Sequence, residues 1–163
     1  MKYLLLLCLF LSSLASASTL EKFFSGLEGS WTLNSAESHR ETPAGEITSS
    51  VASFFSAQVS RKENSWNFVE KICWTRAGVG PECLEAALAY EVIGEELVLH
   101  SEGKSYPVDV LECDENFLLF VLSLDDATTT AVLSRDGATL EQNTVTELVQ
   151  GDKVYELLNL RKQ

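Results

Sequence analysis

Histidine, the side chain most often used for acid–base and metal chemistry near neutral pH, is scarce in this sequence. The only two histidines are His39 and His100, and a hydrolytic triad would need one of them beside a serine and a carboxylate. His39 falls in a polar stretch and His100 near the end of a predicted strand, so both are expected on the solvated surface. Motifs for metalloproteases, redox dithiols, phosphate loops, serine hydrolases and dinucleotide binding are missing from the sequence. The sequence therefore favours a protein that is not an enzyme and uses neither a metal nor a cofactor.

Glu70 has the most informative surroundings of any carboxylate in the chain. In a strand, alternate residues share a face. Glu70 then lies on one face with four apolar residues, Trp66, Phe68, Ile72 and Trp74. A carboxyl group on such a face is partly desolvated, so it must find a partner or take up a proton. It could bind the polar head of a ligand, or it could be satisfied by Arg76, by a tyrosine hydroxyl or by water.

These residues belong to a hairpin whose register can be deduced. Gly78 lies midway between Cys73 and Cys83, so a turn there pairs residue i with residue 156 − i. The inner face then carries four cross-strand pairs, Trp66 with Tyr90, Phe68 with Leu88, Glu70 with Ala86 and Ile72 with Leu84. This face is nearly all apolar and should point to the core. Cys73 falls opposite Cys83 on the outer face, where a disulfide is geometrically possible. Cys113 is then the free thiol, expected to be a small buried apolar residue.

The elements that position these residues are predicted to be strands almost throughout. Apolar and β-branched runs alternate with turn residues about every ten positions, which is typical of consecutive antiparallel strands. The predicted strands cover 30–35, 46–60, 65–76, 83–93, 96–102, 105–113, 117–124, 128–135, 139–149 and 153–161. In 46–60, alternation places Ile47, Val51, Phe55, Ala57 and Val59 on one face. The segment 139–149 also has helical spacing and a capping box, but four successive poor helix formers, 143–146, favour a strand.

Residues 1–17 have the regions of a cleavable signal peptide. Lys2 is followed by a short apolar run, Leu4 to Leu11, and by the small residues Ala15 to Ala17. The run is too short to cross a bilayer. We expect cleavage after Ala17, which leaves one domain, residues 18–163, secreted or periplasmic, without membrane insertion.

The charge of the chain argues against polyanionic partners. The formal net charge is −12, and −13 once Lys2 is removed, without a basic patch. Such a surface repels nucleic acid and anionic lipid. The composition is too rich in apolar residues for a disordered acidic chain, so the charge is expected to keep a compact domain soluble.

The start of the predicted domain resembles the calycins, the superfamily of lipocalins and fatty-acid-binding proteins. A short amphipathic turn, 20–28, leads into Gly29-x-Trp31 just ahead of the successive strands. The resemblance implies an up-and-down antiparallel β-barrel of 8–10 strands with a short N-terminal helical turn, and it favours the alternative of a C-terminal helix over 139–150. It also implies that Trp31 closes one end of the barrel beneath an arginine from a late strand, either Arg161 or Arg135. The Thr-Asp-x-Tyr element of lipocalins is missing.

Two functions follow as hypotheses. The first is a carrier that holds a small apolar ligand, such as a fatty acid, in the barrel. Its ligand-binding residues would be Phe55, Trp66, Phe68, Glu70, Ile72, Trp74, Leu88 and Tyr90. The alternative is a secreted protein-interaction module, for example a protease inhibitor, that acts through the predicted loops 35–45 and 76–82.

Overall fold

The chain forms a closed, ten-stranded antiparallel barrel with one short helix. The computed structural model describes residues 18–76 and 79–163. The predicted signal peptide, 1–17, and residues 77–78 lie outside them. The elements are α1 (Thr19–Leu27), β1 (Gly29–Glu41), β2 (Ile47–Lys62), β3 (Ser65–Arg76), β4 (Val79–Ile93), β5 (Glu96–Ser101), β6 (Lys104–Cys113), β7 (Phe117–Ser123), β8 (Ala127–Asp136), β9 (Thr139–Leu148) and β10 (Lys153–Lys162). Each strand pairs with the next, and β1 pairs with β10. The predicted up-and-down meander is therefore confirmed, and it is the calycin-like arrangement.

The C-terminal segment contains strands and no helix. Residues 139–148 form β9, which pairs with β8 on one side and with β10 on the other. A helix there would leave one edge of β8 and one edge of β10 unpaired and open the barrel. The strand alternative was correct, and the possible C-terminal helix was wrong.

A β-bulge in β2 changes which of its residues face inward. The pairing of β2 with β3 shifts between Ala52 and Phe54, so alternation before the shift is out of phase with alternation after it. Phe55 is buried as predicted, whereas Ile47 and Val51 are 66% and 58% exposed. The sequence-based assignment of all these residues to one face was therefore wrong.

The deduced register of the β3–β4 hairpin is confirmed from Ser65 to Trp74, and it shifts by one residue before Arg76, which pairs with Val79. Trp66 pairs with Tyr90 and Phe68 with Leu88, and Cys73 and Cys83 form the expected disulfide. The inner face is not buried along its whole length, however, since Leu84 is 67% exposed. The reason is that β5 pairs only with Leu88–Ile93, so the first half of β4 stands beyond β5 at the open end of the barrel.

Both loops that were predicted as interaction surfaces are shorter than expected. β1 continues to Glu41, so only 42–46 separates it from β2. β3 ends at Arg76 and β4 begins at Val79, so most of 76–82 is strand, and the turn itself lies outside the described residues. Within the part of the chain that is described, no helix is long and apolar enough to cross a membrane.

Helix α1 closes one end of the barrel. Ser18 caps it, because its Oγ accepts a hydrogen bond from the Glu21 backbone N–H over 3.2 Å. The apolar side of the helix is inserted into the barrel end through four buried residues, Leu20, Phe23, Phe24 and Leu27. These join the inward side chains of the strands in one core. The interior of the barrel is thereby sealed on this side.

Trp31 lies beside the helix, but the cation above it is Lys162. Trp31 is only 1% exposed, and its Nε1–H donates to the Leu27 carbonyl oxygen over 2.7 Å. Lys162 Nζ is 5.5 Å from the ring centroid and donates to the Gly26 carbonyl oxygen over 3.3 Å. Trp31 pairs directly with Lys162, so Arg161, one residue earlier, points outward. The prediction of Arg161 was wrong by one position.

Arg135, the other predicted cation, contacts the helix instead of the tryptophan. Its guanidinium lies against Gly26, where an added Cβ would come within 2.4 Å of Arg135 Cζ. One of its Nη atoms donates to the Glu115 carbonyl oxygen over 2.9 Å. Gly29 has a φ of +122°, and a Cβ there would meet Lys162 Cε at 2.9 Å. Gly29 is therefore required for the close approach of Lys162.

Candidate functional site

The candidate site is the interior of the barrel between helix α1 and the open end. A cavity of about 170 Å³, here called the middle cavity, lies directly beneath the helix. Its wall is mostly apolar and is formed by Phe24, Leu27, Phe68, Leu88, Tyr90, Leu118, Phe120, Leu122, Ala131 and Leu133, with Glu70, Thr129, Gln142 and Thr144 as the polar members. A largely apolar cavity with a few convergent polar groups is the usual form of a small-molecule site.

Glu70 faces the middle cavity from β3. Burial raises the pKa of its carboxyl group and is the only cause of that shift, so neither a hydrogen bond nor a cation among the described residues compensates the charge. Of the partners considered from sequence, Arg76 has a side chain outside the described part. A buried carboxyl group without a partner is costly for folding, and it is available to a ligand.

Tyr90 faces the same cavity from β4. The pKa of its hydroxyl is raised strongly, first by burial and then by the nearby charge of Glu70. The hydroxyl thus stays protonated at any physiological pH and can donate a hydrogen bond. Glu70 and Tyr90 together provide an acceptor and a donor inside an otherwise apolar wall.

Aromatic rings surround this polar pair. The Tyr90 ring centroid lies 5.3 Å from that of Phe24, 5.5 Å from Phe68 and 6.3 Å from Phe120. All four rings belong to the wall of the middle cavity. The negative faces of such rings attract cations, and their large apolar surface packs against apolar groups.

A larger cavity of about 480 Å³, here called the mouth cavity, occupies the open end. Its lining is mixed and consists of Ser38, Arg40, Thr42, Thr48, Ser50, Trp74, Glu82, Leu84, Asp152, Val154 and Glu156. Arg40 is bound to Asp152 through two hydrogen bonds, one of them 2.8 Å from Nε. Burial raises the pKa of Glu156, and a hydrogen bond from Thr144 opposes that effect. The lining of the mouth cavity is therefore more polar than that of the middle cavity.

The structure brings together half of the predicted ligand-binding residues. Phe68, Glu70, Leu88 and Tyr90 line the middle cavity. Phe55 borders a small void of about 30 Å³ that also touches Glu70, and Trp74 lines the mouth.

Trp66 and Ile72 belong to the packed wall rather than to these cavities. Trp66 is fully buried, with the Arg61 guanidinium 4.8 Å from its ring centroid and its Nε1–H bonded to Glu28 over 3.3 Å. Ile72 packs against the core.

Sequence reasoning missed the far wall of the middle cavity. Residues of β7, β8 and β9 face Glu70 across the barrel, among them Phe120, Ala131 and Gln142. The available signal was the alternation within 117–123 and 128–135, which marks their inward faces.

The two histidines and the free thiol lie outside the interior. His39 stacks on Tyr155 with ring centroids 4.5 Å apart. Burial raises the pKa of the half-buried Cys113 thiol, which makes the thiolate scarce.

His100 makes the contacts of a triad on the outer surface. Its Nδ1 is 2.8 Å from Ser105 Oγ and its Nε2 is 2.9 Å from Glu91 Oε2. The surrounding strands β4, β5 and β6 are paired in continuous ladders, so backbone N–H groups for an oxyanion hole are already engaged. The arrangement is therefore a cross-strand polar cluster.

Comparisons with known proteins give a structural likeness. No family model matches the chain, and none of the curated proteins matches it. The fold is similar to that of zebrafish ileal bile acid-binding protein complexed with cholic acid, with a TM-score of 0.42 and 11% sequence identity. The match covers 85% of this chain and 99% of the zebrafish chain. The strand order and the closure of β1 on β10 show a ten-stranded, up-and-down antiparallel β-barrel.

Proposed function

We propose that this protein is a non-enzymatic binding protein that holds a small, largely apolar ligand inside its barrel. The middle cavity carries the proposal, because a core of this size normally fills its interior with side chains. Here an apolar space of about 170 Å³ remains around an uncompensated carboxyl group. The open mouth provides a route by which a ligand could enter.

Export is the second part of the proposal. The predicted signal peptide, 1–17, agrees with the Cys73–Cys83 disulfide, since disulfides persist in oxidising compartments. Mass spectrometry of the exported protein should find Ser18 at the N-terminus and the disulfide intact. A protein retained in the cytosol with Met1 in place would contradict export without affecting the binding proposal.

Ligand binding is tested with a neutral fluorescent apolar probe, such as retinol, and a pair of matched substitutions. Ala131 is buried in the wall of the middle cavity, and Thr130, its neighbour, is exposed on the outer face. We expect saturable uptake of one probe per chain by the unmodified protein and by Thr130→Phe. Ala131→Phe should fill the cavity and abolish uptake, while circular dichroism shows that the barrel is retained.

Two results would count against a ligand-binding barrel. One is a complete lack of saturable uptake by the unmodified protein. The other is equal uptake by both variants, which would place the probe on the outer surface.

A further inference from the structure

The charges inside the barrel are strongly unequal. Glu70 faces the middle cavity, and Glu156 lies near it through its contact with Thr144. In the described part of the chain, the inward cations are held elsewhere. Arg40 is paired with Asp152 at the mouth, and Lys162 and Arg135 bind the closed end. The middle cavity therefore contains an acid without a base.

This imbalance selects among ligand head groups. A carboxylate ligand would be buried beside Glu70 with no cation to offset either charge, which is strongly unfavourable. A neutral apolar ligand would leave the desolvated carboxyl group without a partner. A positively charged amine would provide both the hydrogen-bond donors and the opposite charge.

The aromatic wall supports the same choice independently. Phe24, Phe68, Tyr90 and Phe120 line the same cavity as Glu70, and the other three rings pack against Tyr90 at centroid distances of 5.3–6.3 Å. Organic cations are recognised by cages of aromatic rings, and the attraction is strongest where water is excluded. A fatty-acid head group gains nothing comparable from these rings.

We propose that the ligand is a small organic amine, an inference that rests on the proposed function. Its ammonium group is bound by Glu70 beside the aromatic wall, and its apolar part fills the rest of the cavity. Gln142 and Thr144 provide further acceptors on the opposite side. The expected ligand class is thus an aryl or alkyl amine, which replaces the fatty acid expected from sequence.

The test uses three probes that share one ring and differ in their head group. They are 2-phenylethylamine, 2-phenylethanol and 3-phenylpropionate, titrated by calorimetry into the protein produced with its disulfide formed. We expect the amine to bind at least about tenfold more tightly than the alcohol, the value of one charge-assisted hydrogen bond. The carboxylate should bind more weakly than the alcohol.

Two variants assign the preference to the cavity. Glu70→Gln should lower the affinity for the amine to that for the alcohol and so remove the preference between the two. Glu85→Gln removes an equal charge from the outer face, where Glu85 pairs with Lys71, and should leave the preference intact. If Glu85→Gln lowers the preference as much as Glu70→Gln, the assignment is wrong.

The unmodified protein gives a second test through pH. The titratable groups that face the cavity are Glu70 and Tyr90, with Glu156 behind Thr144 and Arg40, Asp152 and Glu82 at the mouth. Amine affinity should rise as the pH increases from 4 to 7, because Glu70 must lose its proton, while alcohol affinity stays constant.

The outcomes separate the two proposals. If the alcohol binds and the amine has no advantage, the amine assignment is overturned and the ligand-binding barrel stands. If none of the three probes binds and no apolar probe is taken up, both proposals fail.

Discussion

Truncation of Phe24 is the sharpest test of helix α1 as the lid of the middle cavity. Phe24 is 2% exposed. Its ring contacts four other rings, with centroid distances of 5.6 Å to Phe23, 5.5 Å to Trp66, 6.3 Å to Phe68 and 5.3 Å to Tyr90. Replacing a buried phenylalanine by alanine costs about 3–5 kcal/mol. Four aromatic pairs, at about 0.5–1.5 kcal/mol each beyond burial, place Phe24→Ala in the upper half of that range.

Phe23 offers a matched control on the same helix. It is 0% exposed, but it does not line the middle cavity. Phe23→Ala should lose a comparable free energy of unfolding, measured by urea denaturation with circular dichroism. Only Phe24→Ala should enlarge the cavity and bind a bulkier apolar probe more tightly than the unmodified protein. A loss below about 2 kcal/mol in Phe24→Ala, or the same change in probe affinity in both variants, would refute the role of Phe24 as lid.

Three further predictions concern Glu70, the disulfide and Gly29. Burial raises the folded-state pKa of Glu70. Between the ordinary carboxyl pKa and this raised pKa, the folded state holds a proton that the unfolded state has lost, so the free energy of unfolding decreases as the pH rises. Glu70→Gln should therefore match the unmodified protein near pH 4 and exceed its free energy of unfolding at pH 7; the opposite trend would show that Glu70 is compensated. Replacing both Cys73 and Cys83 by serine should lower the free energy of unfolding by about 2.7 kcal/mol for a sequence separation of 10 residues, and an unchanged denaturation midpoint would contradict this. Gly29→Ala places a Cβ within 2.9 Å of Lys162 Cε at a φ of +122°, and it should lower the free energy of unfolding by roughly 1–3 kcal/mol. Gly80 has open space around it, so Gly80→Ala should leave the free energy of unfolding unchanged in the same assay.

The register of β3 with β4 could be predicted because its determinants are local. A predicted turn midway between Cys73 and Cys83 gives the parity of both strands, and the apolar face agrees with the pairing of these two cysteines. The number and bounds of the strands follow from similarly local alternation and turn residues. The prediction therefore depended only on residues close together in the chain.

Other features depend on closure of the barrel and could not be predicted in this way. The bulge at 52–54 in β2 arises where a long strand bends around the barrel, and it reverses the faces of Ile47 and Val51. Whether Arg161 or Lys162 covers Trp31 depends on the register between β1 and β10, which are the two ends of the chain. The far wall of the cavity required the same long-range information.

The position of a bound probe tests the central claim most directly. With a saturating apolar probe and methyl-labelled protein, isotope-filtered NMR should show contacts from the probe to Leu88, Leu118 and Leu133, which line the middle cavity. Contacts confined to exposed outer residues such as Val69 and Val51 would contradict a ligand-binding barrel.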